Sequence, residues 1–554
     1  MAANDNDRLV LPMRLPASYS GRVQQHYLER HDPDGTCTVR LISGQTVTLD
    51  STTTLDFEQQ FSTQQNSNTM WLYSLFHLRV VGEALRRGHE HLRSTWEKGW
   101  QDAVAHLNSP LGARRAASIP SGDHAAATRL RACLEASELE PPQDVLMGIQ
   151  ELAATTLSWL CEPCNYRANN HGLMASIALL SWHVAVERPA GEHAVRDIAT
   201  QRILDLARTA FDEDGMCNEN TVGYHNFNIR CYDDVLAMDA AEHLDPAFAA
   251  ELKPLLETAE SALALCILPD QTVPTLGDSA RVSLSRPASR NGLGDFSRSG
   301  LAVVKDDRRY VSLVCGSRSE IHKHQDDSSL TLWHKNRPVL VDAGSYLYDR
   351  TDPYRRSMES SLGHSGFFVS EIDGVLRQDI VKAHPDYWAC ITQGPHDAGE
   401  GNVTMRCEYG REGHYTVQRR VLAAPDGWLA VRDTFLATDA SRDRTTCQRW
   451  LLGPDLLPTR LGHGHWAAQS SGVVVSVLAH GFFTEDLFAA ENTGDFRGWY
   501  SEQSGQKVGV HGLEFHSGGV SHTIGTVIYA GERAITSPSQ VPAAVWRFTS
   551  GQTE

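Results

Sequence analysis

The feature that most constrains this chain is a change of hydrophobic period around residues 269–295. Upstream, apolar residues return every three or four positions: Leu72, Leu75, Phe76, Val80 and Val81 share one helical face, and similar tracts run over 92–107, 123–136, 143–160, 170–186, 193–211, 229–243 and 247–266. Downstream, short β-rich runs are separated by charged or glycine turns: Leu301-Ala-Val-Val, Tyr310-Val-Ser-Leu-Val, Ser329-Leu-Thr-Leu-Trp, Pro338-Val-Leu-Val, Trp428-Leu-Ala-Val-Arg, Val473-Val-Val-Ser-Val-Leu and Thr523-Ile-Gly-Thr-Val-Ile-Tyr. Pro269, Pro274, Pro287 and the polar stretch 282–295 punctuate the change. A segment patterned for one period does not settle in the other structure, so the pattern predicts a helical half followed by an antiparallel β half, a sandwich or barrel. Periodicity leaves a bundle, a solenoid and a closed α/α toroid equally open for the helices. Near the N-terminus, Cys37-Thr-Val-Arg-Leu-Ile and Thr46-Val-Thr-Leu flank Ser43-Gly44-Gln45 and predict a hairpin. The expected domains are 1–60, 61–285 and 286–554.

With 554 residues, 41% of them hydrophobic, the chain has ample material for large cores, which excludes a disordered or collagen-like protein. The net charge of −18 argues against general nucleic-acid or anionic-membrane binding, which needs clustered cations. The most apolar helical stretch, Gly172 to Val186, is interrupted by His183 and is shorter than the ~18–20 residues that span a bilayer. The polar start Met-Ala-Ala-Asn-Asp-Asn-Asp lacks the pattern of a secretory leader, so a cytoplasmic location is expected. Eleven cysteines, an odd and scattered set, fit reduced and mostly buried thiols; Cys161-Glu-Pro-Cys164 has no second pair to make a zinc ribbon.

Three segments concentrate ionisable residues. In Arg167-Ala-Asn169-Asn170-His171-Gly172, Asn170 is placed to cap the following helix and His171 falls in its first turn, where the helix dipole disfavours the imidazolium and keeps a base available. The second is the polar loop Asp214-Gly-Met-Cys-Asn218-Glu219-Asn220-Thr-Val-Gly223-Tyr224-His225, whose tyrosine can serve as a proton donor or acceptor. The third is Ile321-His322-Lys-His324-Gln-Asp326-Asp327, with Val341-Asp342-Ala-Gly-Ser-Tyr346 downstream. If this segment is a strand, His322 and His324 project from one face, and two imidazoles with a carboxylate match a Zn²⁺ ligand set. The same residues approach the His-x-His-x-Asp-His box of metallo-β-lactamase-like hydrolases, but Asp327 stands in the final His position and a long helical region precedes them.

Taken in order, Asn169-Asn170-His171, Gly223-Tyr224-His225, His322-Lys-His324-Gln-Asp326, Arg337-Pro-Val-Leu-Val-Asp342-Ala-Gly-Ser-Tyr346 and Tyr354-Arg355-Arg356-Ser357 leading to His364 resemble the heparinase II/III-like polysaccharide lyases, including alginate and oligoalginate lyases. Ser365-Gly366 replaces the usual Asn-Thr after the histidine, and Asp342-Ala-Gly stands for the common Asp-Pro-Gly. The resemblance implies an α+β multidomain fold, an incomplete (α/α) toroid followed by an antiparallel β-sandwich. It also implies β-elimination on a uronic-acid-containing glycan, a carbon–oxygen lyase of class EC 4.2.2. That reaction needs the uronate carboxylate neutralised, a base for the C5 proton and an acid for the departing C4 oxygen. By similarity, Asn170 and His322 meet the carboxylate, His171 is the base and Tyr224 the acid; in a syn elimination Tyr224 serves both proton transfers. Glu219, Arg230, Tyr346, Arg355 and Arg356 are candidates for substrate contact. His324, Asp342 and His364 resemble a structural zinc site, with no organic cofactor.

The implied partner is an anionic poly- or oligosaccharide, with no nucleic acid and a homodimer left open. A chain of charge −18 needs local cations to hold such a substrate; Arg230, Lys323, Arg355 and Arg356 are expected to supply them. Two other readings compete: a glycoside hydrolase on an (α/α) toroid, needing two carboxylates such as Asp214 and Glu219, and a non-catalytic glycan-binding protein.

Overall fold

A computed structural model describes residues 27–551, apart from 43–44, 56, 58–65, 120–121, 187–193, 239–245, 287, 348, 439–442 and 471. The polar N-terminus, the Ser43-Gly44 turn, Pro287, residue 193 and the 239–243 end of one helical tract lie outside the described residues. The chain divides into two compact units, residues 1–210 with 228–256, and residues 211–227 with 257–554. This division falls elsewhere than at 285/286: the polar loop with Glu219 and Tyr224 groups with the strands, and the N-terminal strands group with the helices.

The first unit is helical. Gly122–Ser137 packs against Gln143–Cys161 and Asn170–Ala185, and the last of these also packs on Ala194–Ala210. Asn170–Ala185 is apolar all round because it is buried all round, with Leu173, Ile177, Leu179, Leu180 and Trp182 inside. No described helix is long and apolar enough to cross a membrane. Two details depart from the periodic reading. The tract beginning near Trp71 is broken by Leu75, at φ 61°, into Asn66–Tyr73 and Phe76–Arg86. A further helix, Pro110–Ser118, starts from the Ser109 side chain, which accepts from the Gly112 amide at 3.0 Å, with proline in the first position. The predicted hairpin is present as Cys37–Arg40 paired antiparallel with Thr46–Leu49, and Leu28–His31 adds a third strand.

The second unit is antiparallel throughout its described pairings. Five strands, Gly292–Phe296, Leu301–Lys305, Arg309–Val314, Ser329–His334 and Arg337–Leu340, form a meander. An eight-stranded sheet runs from Tyr387–Gly399 through Trp428–Ala437 and Ser521–Gly531 to Leu457–Gly462. A four-stranded sheet has Arg444–Leu451 and Gly512–Gly519 at its centre. Leu313 and Leu330 from the first sheet, Tyr409 and Val431 from the second, and Trp450 and Phe515 from the third share one buried core. Strands such as Asn402–Arg411 alternate buried and partly exposed residues, as a sheet with one wet face requires. Ser329–His334 is buried at every position, its polar Ser329, Thr331 and His334 included.

All eleven cysteines are free, and most are buried. Cys161 and Cys164 are not joined.

Candidate active site

In the helical unit the cap is Asn169, not Asn170. The Asn169 side chain accepts from the amides of His171 (3.0 Å) and Gly172 (3.2 Å), so Asn170 is the first helical residue and His171 the second. Two adjacent asparagines leave this choice to the entry path of the chain; Gly172 permits it, because a Cβ there would run into the Arg167 carbonyl. His171 is partly exposed, and its Nδ1 lies 3.4 Å from Asp123 Oδ1. Burial works against ionisation of Asp123, yet hydrogen bonding and charge from His171, the His124 amide and Arg167 hold its carboxyl below the usual range. An aspartate at Nδ1 orients the ring and leaves Nε2 outward. Asp123 carries no motif that marks it in sequence.

In the second unit three loops are tied into one nest. Asn220, at φ 59°, donates to the backbone oxygens of Ser319 (2.8 Å) and Ile321 (2.7 Å). Gly223 donates to Ser279 Oγ at 2.8 Å, and Thr221 Oγ1 accepts from the Tyr224 amide at 3.0 Å, which starts the helix Val222–Met238. His225 is structural: its Nδ1 accepts from the Cys217 amide (3.2 Å), its Nε2 bonds the Ala259 carbonyl (2.9 Å), and burial pushes its pKa down to about 4. Tyr224 is half-buried and stacks on His322, with ring centroids 3.7 Å apart at 18°.

The segment carrying His322 and His324 is not a strand. It is the turn between Arg309–Val314 and Ser329–His334, and His322 sits at φ 55°. The two histidines meet through a carboxylate instead of through a pleat. Asp278 accepts from His324 Nε2 at 3.0 Å, lies 3.3 Å from His322 Nδ1, and pairs closely with Arg355. Burial opposes its charge, but these three partners hold Asp278 well below the ordinary carboxylate range. The other nitrogen of His322 is 3.3 Å from Glu219 Oε2, so Glu219, expected to contact substrate, is buried beside His322. Asp278 stands in Leu276-Gly277-Asp278-Ser279, whose sequence gives no hint of this role.

His324, Asp342 and His364 are brought together, with one donor atom of each within 4.8 Å of the others, and all three are buried. Gly344, at φ 74° and too close to the Ser501 carbonyl for any Cβ, shapes the turn after Asp342, and its amide donates to Asp342 Oδ1 at 3.2 Å. His364 Nδ1 is 2.8 Å from Asp342 Oδ2. His324 Nδ1 and His364 Nε2 are buried with no hydrogen-bond partner. Two orphaned imidazole nitrogens and a carboxylate fit a divalent cation, and Asp278, by holding His324 Nε2, leaves Nδ1 as the donor. Asp326 and Asp327 do not join them: Lys323 pairs closely with Asp326 and lies 3.5 Å from Asp327, which also pairs with Arg377. The metallo-β-lactamase arrangement is therefore not formed.

The expected cations divide. Lys323 is buried in that ion-pair cluster, and Arg355 is held between Asp278 and Glu359 (3.3 Å), so neither offers an unspent charge. Arg356 and Arg230 are exposed, each on its own unit. A cation absent from the expectation is Lys507, whose Nζ is 3.3 Å from Tyr346 Oη and lies over the rings of Tyr354 (4.0 Å), Tyr346 (4.8 Å) and Trp499 (5.0 Å). Asp214 is exposed in a turn.

Residues 167–296 match the family model for the heparinase II/III N-terminus, and residues 288–539 match that for the heparinase II/III-like C-terminal domain. The chain belongs to the heparinase II/III-like family. These spans contain Asn170, His171, Tyr224, Asp278, His322 and the His324–Asp342–His364 cluster, while Asp123 lies outside both. No curated protein matches the chain. Among solved structures, a heparinase III aligns with a TM-score of 0.69 at 13% identity, over 86% of this chain and 80% of its own. A mutant heparan sulfate lyase from Pedobacter heparinus aligns at 0.64 and 14%, over 90% and 82%. At such identities the likeness shows a shared fold: this family member is a multidomain α+β protein, with a helical toroid followed by an antiparallel β-sandwich.

Proposed function

We propose that the protein is a polysaccharide lyase that cleaves a uronic-acid-containing glycan by β-elimination, leaving an unsaturated uronate. Removing the C5 proton places charge on the neighbouring carboxylate, so hydrogen-bond donors aimed at that group lower the barrier. Asn170 and His322 take that role. His171, oriented by Asp123, is the base for a C5 proton on its face of the sugar. Tyr224 delivers a proton to the C4 oxygen, and for the opposite stereochemistry takes the C5 proton as well. The observation that carries this reading is the Tyr224–His322 stack, set in a nest closed by Asp278 and Glu219: it holds a phenol and an imidazole in fixed register. Lys507, with Tyr346 and Arg356, supplies positive charge and ring faces suited to an anionic sugar.

A zinc ion is proposed at His324, Asp342 and His364, where it would brace the turn bearing His322. Heparan sulfate leads the candidate substrates, because one of the aligned proteins is a heparan sulfate lyase.

The test is to incubate the protein with heparan sulfate, heparin, chondroitin, hyaluronan and alginate while following the ultraviolet absorbance of the unsaturated product. A rise with at least one glycan is expected. Tyr224→Phe should lower turnover by about 10²–10⁴-fold with unchanged thermal unfolding. No unsaturated product from any glycan, or a fully active Tyr224→Phe protein, would overturn the proposal.

A further inference from the structure

Three histidines in the helical unit, none of them among the candidate active-site residues, lie close together. His31 ends the strand Leu28–His31, and His89 and His91 lie in the connection between Phe76–Arg86 and Arg93–Leu107. One ring nitrogen of each is within 4.8 Å of the others, and His31 Nδ1 is 3.0 Å from His91 Nε2. The ring centroids are 4.7, 5.0 and 5.9 Å apart. A tetrahedral ion with metal–nitrogen bonds of about 2.0–2.1 Å places its nitrogen ligands roughly 3.3 Å from one another, so small side-chain rotations complete the set. We propose that His31, His89 and His91 bind a divalent transition-metal ion of the zinc, nickel and copper class. The proposal stands apart from the lyase reading and from the His324 cluster.

The backbone is already arranged for this. The turn after His31 closes through Asp32 N to Thr36 O (2.8 Å) and Gly35 N to Asp32 O (3.0 Å). Thr95, in the first turn of Arg93–Leu107, donates its hydroxyl to the Gly35 carbonyl at 2.6 Å. Gly35, at φ +88°, lies so close to the chain that a Cβ would stand 3.0 Å from the His91 carbonyl. The segments bearing the three imidazoles are thus seated on each other by these hydrogen bonds. Neighbouring acids are engaged elsewhere, Asp32 with Arg30 and Glu90 with Arg93, and none of the three histidines pairs with a carboxylate among the described residues. His31 and His91 are exposed and His89 is half-buried, so an ion has access and can keep a water as its fourth ligand. Neutral imidazoles suit borderline ions and not Mg²⁺ or Ca²⁺. A bound ion would clamp the N-terminal sheet to the helices and stabilise the folded state by mass action.

The full chain, stripped of metal, is titrated calorimetrically with Zn²⁺ alongside His31→Gln, His89→Gln and His91→Gln. None of the three positions is fully buried, and circular dichroism checks that each variant is folded. The wild type is expected to bind one equivalent that every variant loses or binds at least tenfold more weakly, and to gain more in melting temperature from Zn²⁺ than the variants do. Because the His324 cluster is unaltered in all four proteins, its occupancy cancels from the comparison. Equal stoichiometry, affinity and melting shift in all four proteins would overturn the proposal, as would a difference that emerges only at millimolar Zn²⁺.

Discussion

The two units bury charge to different extents. In the helical unit Asn169 caps the helix that begins with Asn170 and His171, Asp123 reaches His171 from the neighbouring helix Gly122–Ser137, and Arg79 pairs with Glu135 in the interior at 2.6 Å. Its core includes an uncharged imidazole, His77. In the β unit buried ion pairs are more numerous, and they tie strands to loops. Arg419 pairs with Asp433 at 2.6 Å and also donates to the backbone oxygens of Ser328 and Ser365. Arg449 bonds Glu514 and Asp373. The difference teaches where each architecture has spare polarity. A helix satisfies its own backbone and needs help only at its ends, whereas loops between buried strands leave carbonyls that long cationic side chains must reach.

The largest test of this contrast is Arg419→Ala, which leaves the buried Asp433 charge with only Gln448 donating to it and takes a donor from the Ser328 and Ser365 carbonyls. It should cost about 3–5 kcal/mol in urea-induced unfolding; a loss below ~1 kcal/mol would mean that the pair is not what holds those loops. Next comes acid. Burial pushes the His77 pKa from an ordinary 6.5 to about 3. Below pH 6.5 the unfolded chain takes up a proton that the folded chain refuses, so stability falls as pH drops toward 3, by at most about 1.4 kcal/mol per pH unit from this group. His77→Phe should flatten the pH dependence of the unfolding free energy by that amount; an unchanged slope would show that His77 gains a partner in acid. In the β unit, Asp278→Asn keeps the shape but removes the charge that faces His322, His324 and Arg355. Turnover, and zinc retention if the ion is present, should fall about 10–100-fold, and wild-type values for both would remove Asp278 from the site. The smallest expected effect separates neighbours: Asn169→Ala should cost about 1 kcal/mol of stability as a lost cap, while Asn170→Ala should leave stability unchanged and lower turnover. Equal effects on both quantities would erase the distinction between cap and candidate catalyst.

Much of the organisation was legible because it is periodic. The helical tracts, the switch to strands and the hairpin at 37–49 follow from spacing of apolar residues, and the structure has each of them. What spacing misses is local geometry that no period encodes: the left-handed Leu75 that divides one tract, and the helix at Pro110, whose Ser-Pro start is a readable signal without a long apolar stripe behind it. The His322–His324 segment shows a different limit. A His-x-His pair reads as one face of a strand, but the chain turns there, and the rings converge on a carboxylate 44 and 46 residues away. Lys323 and Arg355 look in sequence like cations available to a substrate, yet buried acids claim both.

The residues alone determined which half is helical and which is stranded, and which side chains have the chemistry for proton transfer and metal binding, because period and functional group are properties of the chain itself. Only the tertiary structure decided that Asp278 holds His322, His324 and Arg355, that Asn169 is the cap, and that Glu219 is buried beside a histidine. Those outcomes depend on loops distant in sequence arriving at the same low-dielectric point, where an unpaired charge is too costly to leave.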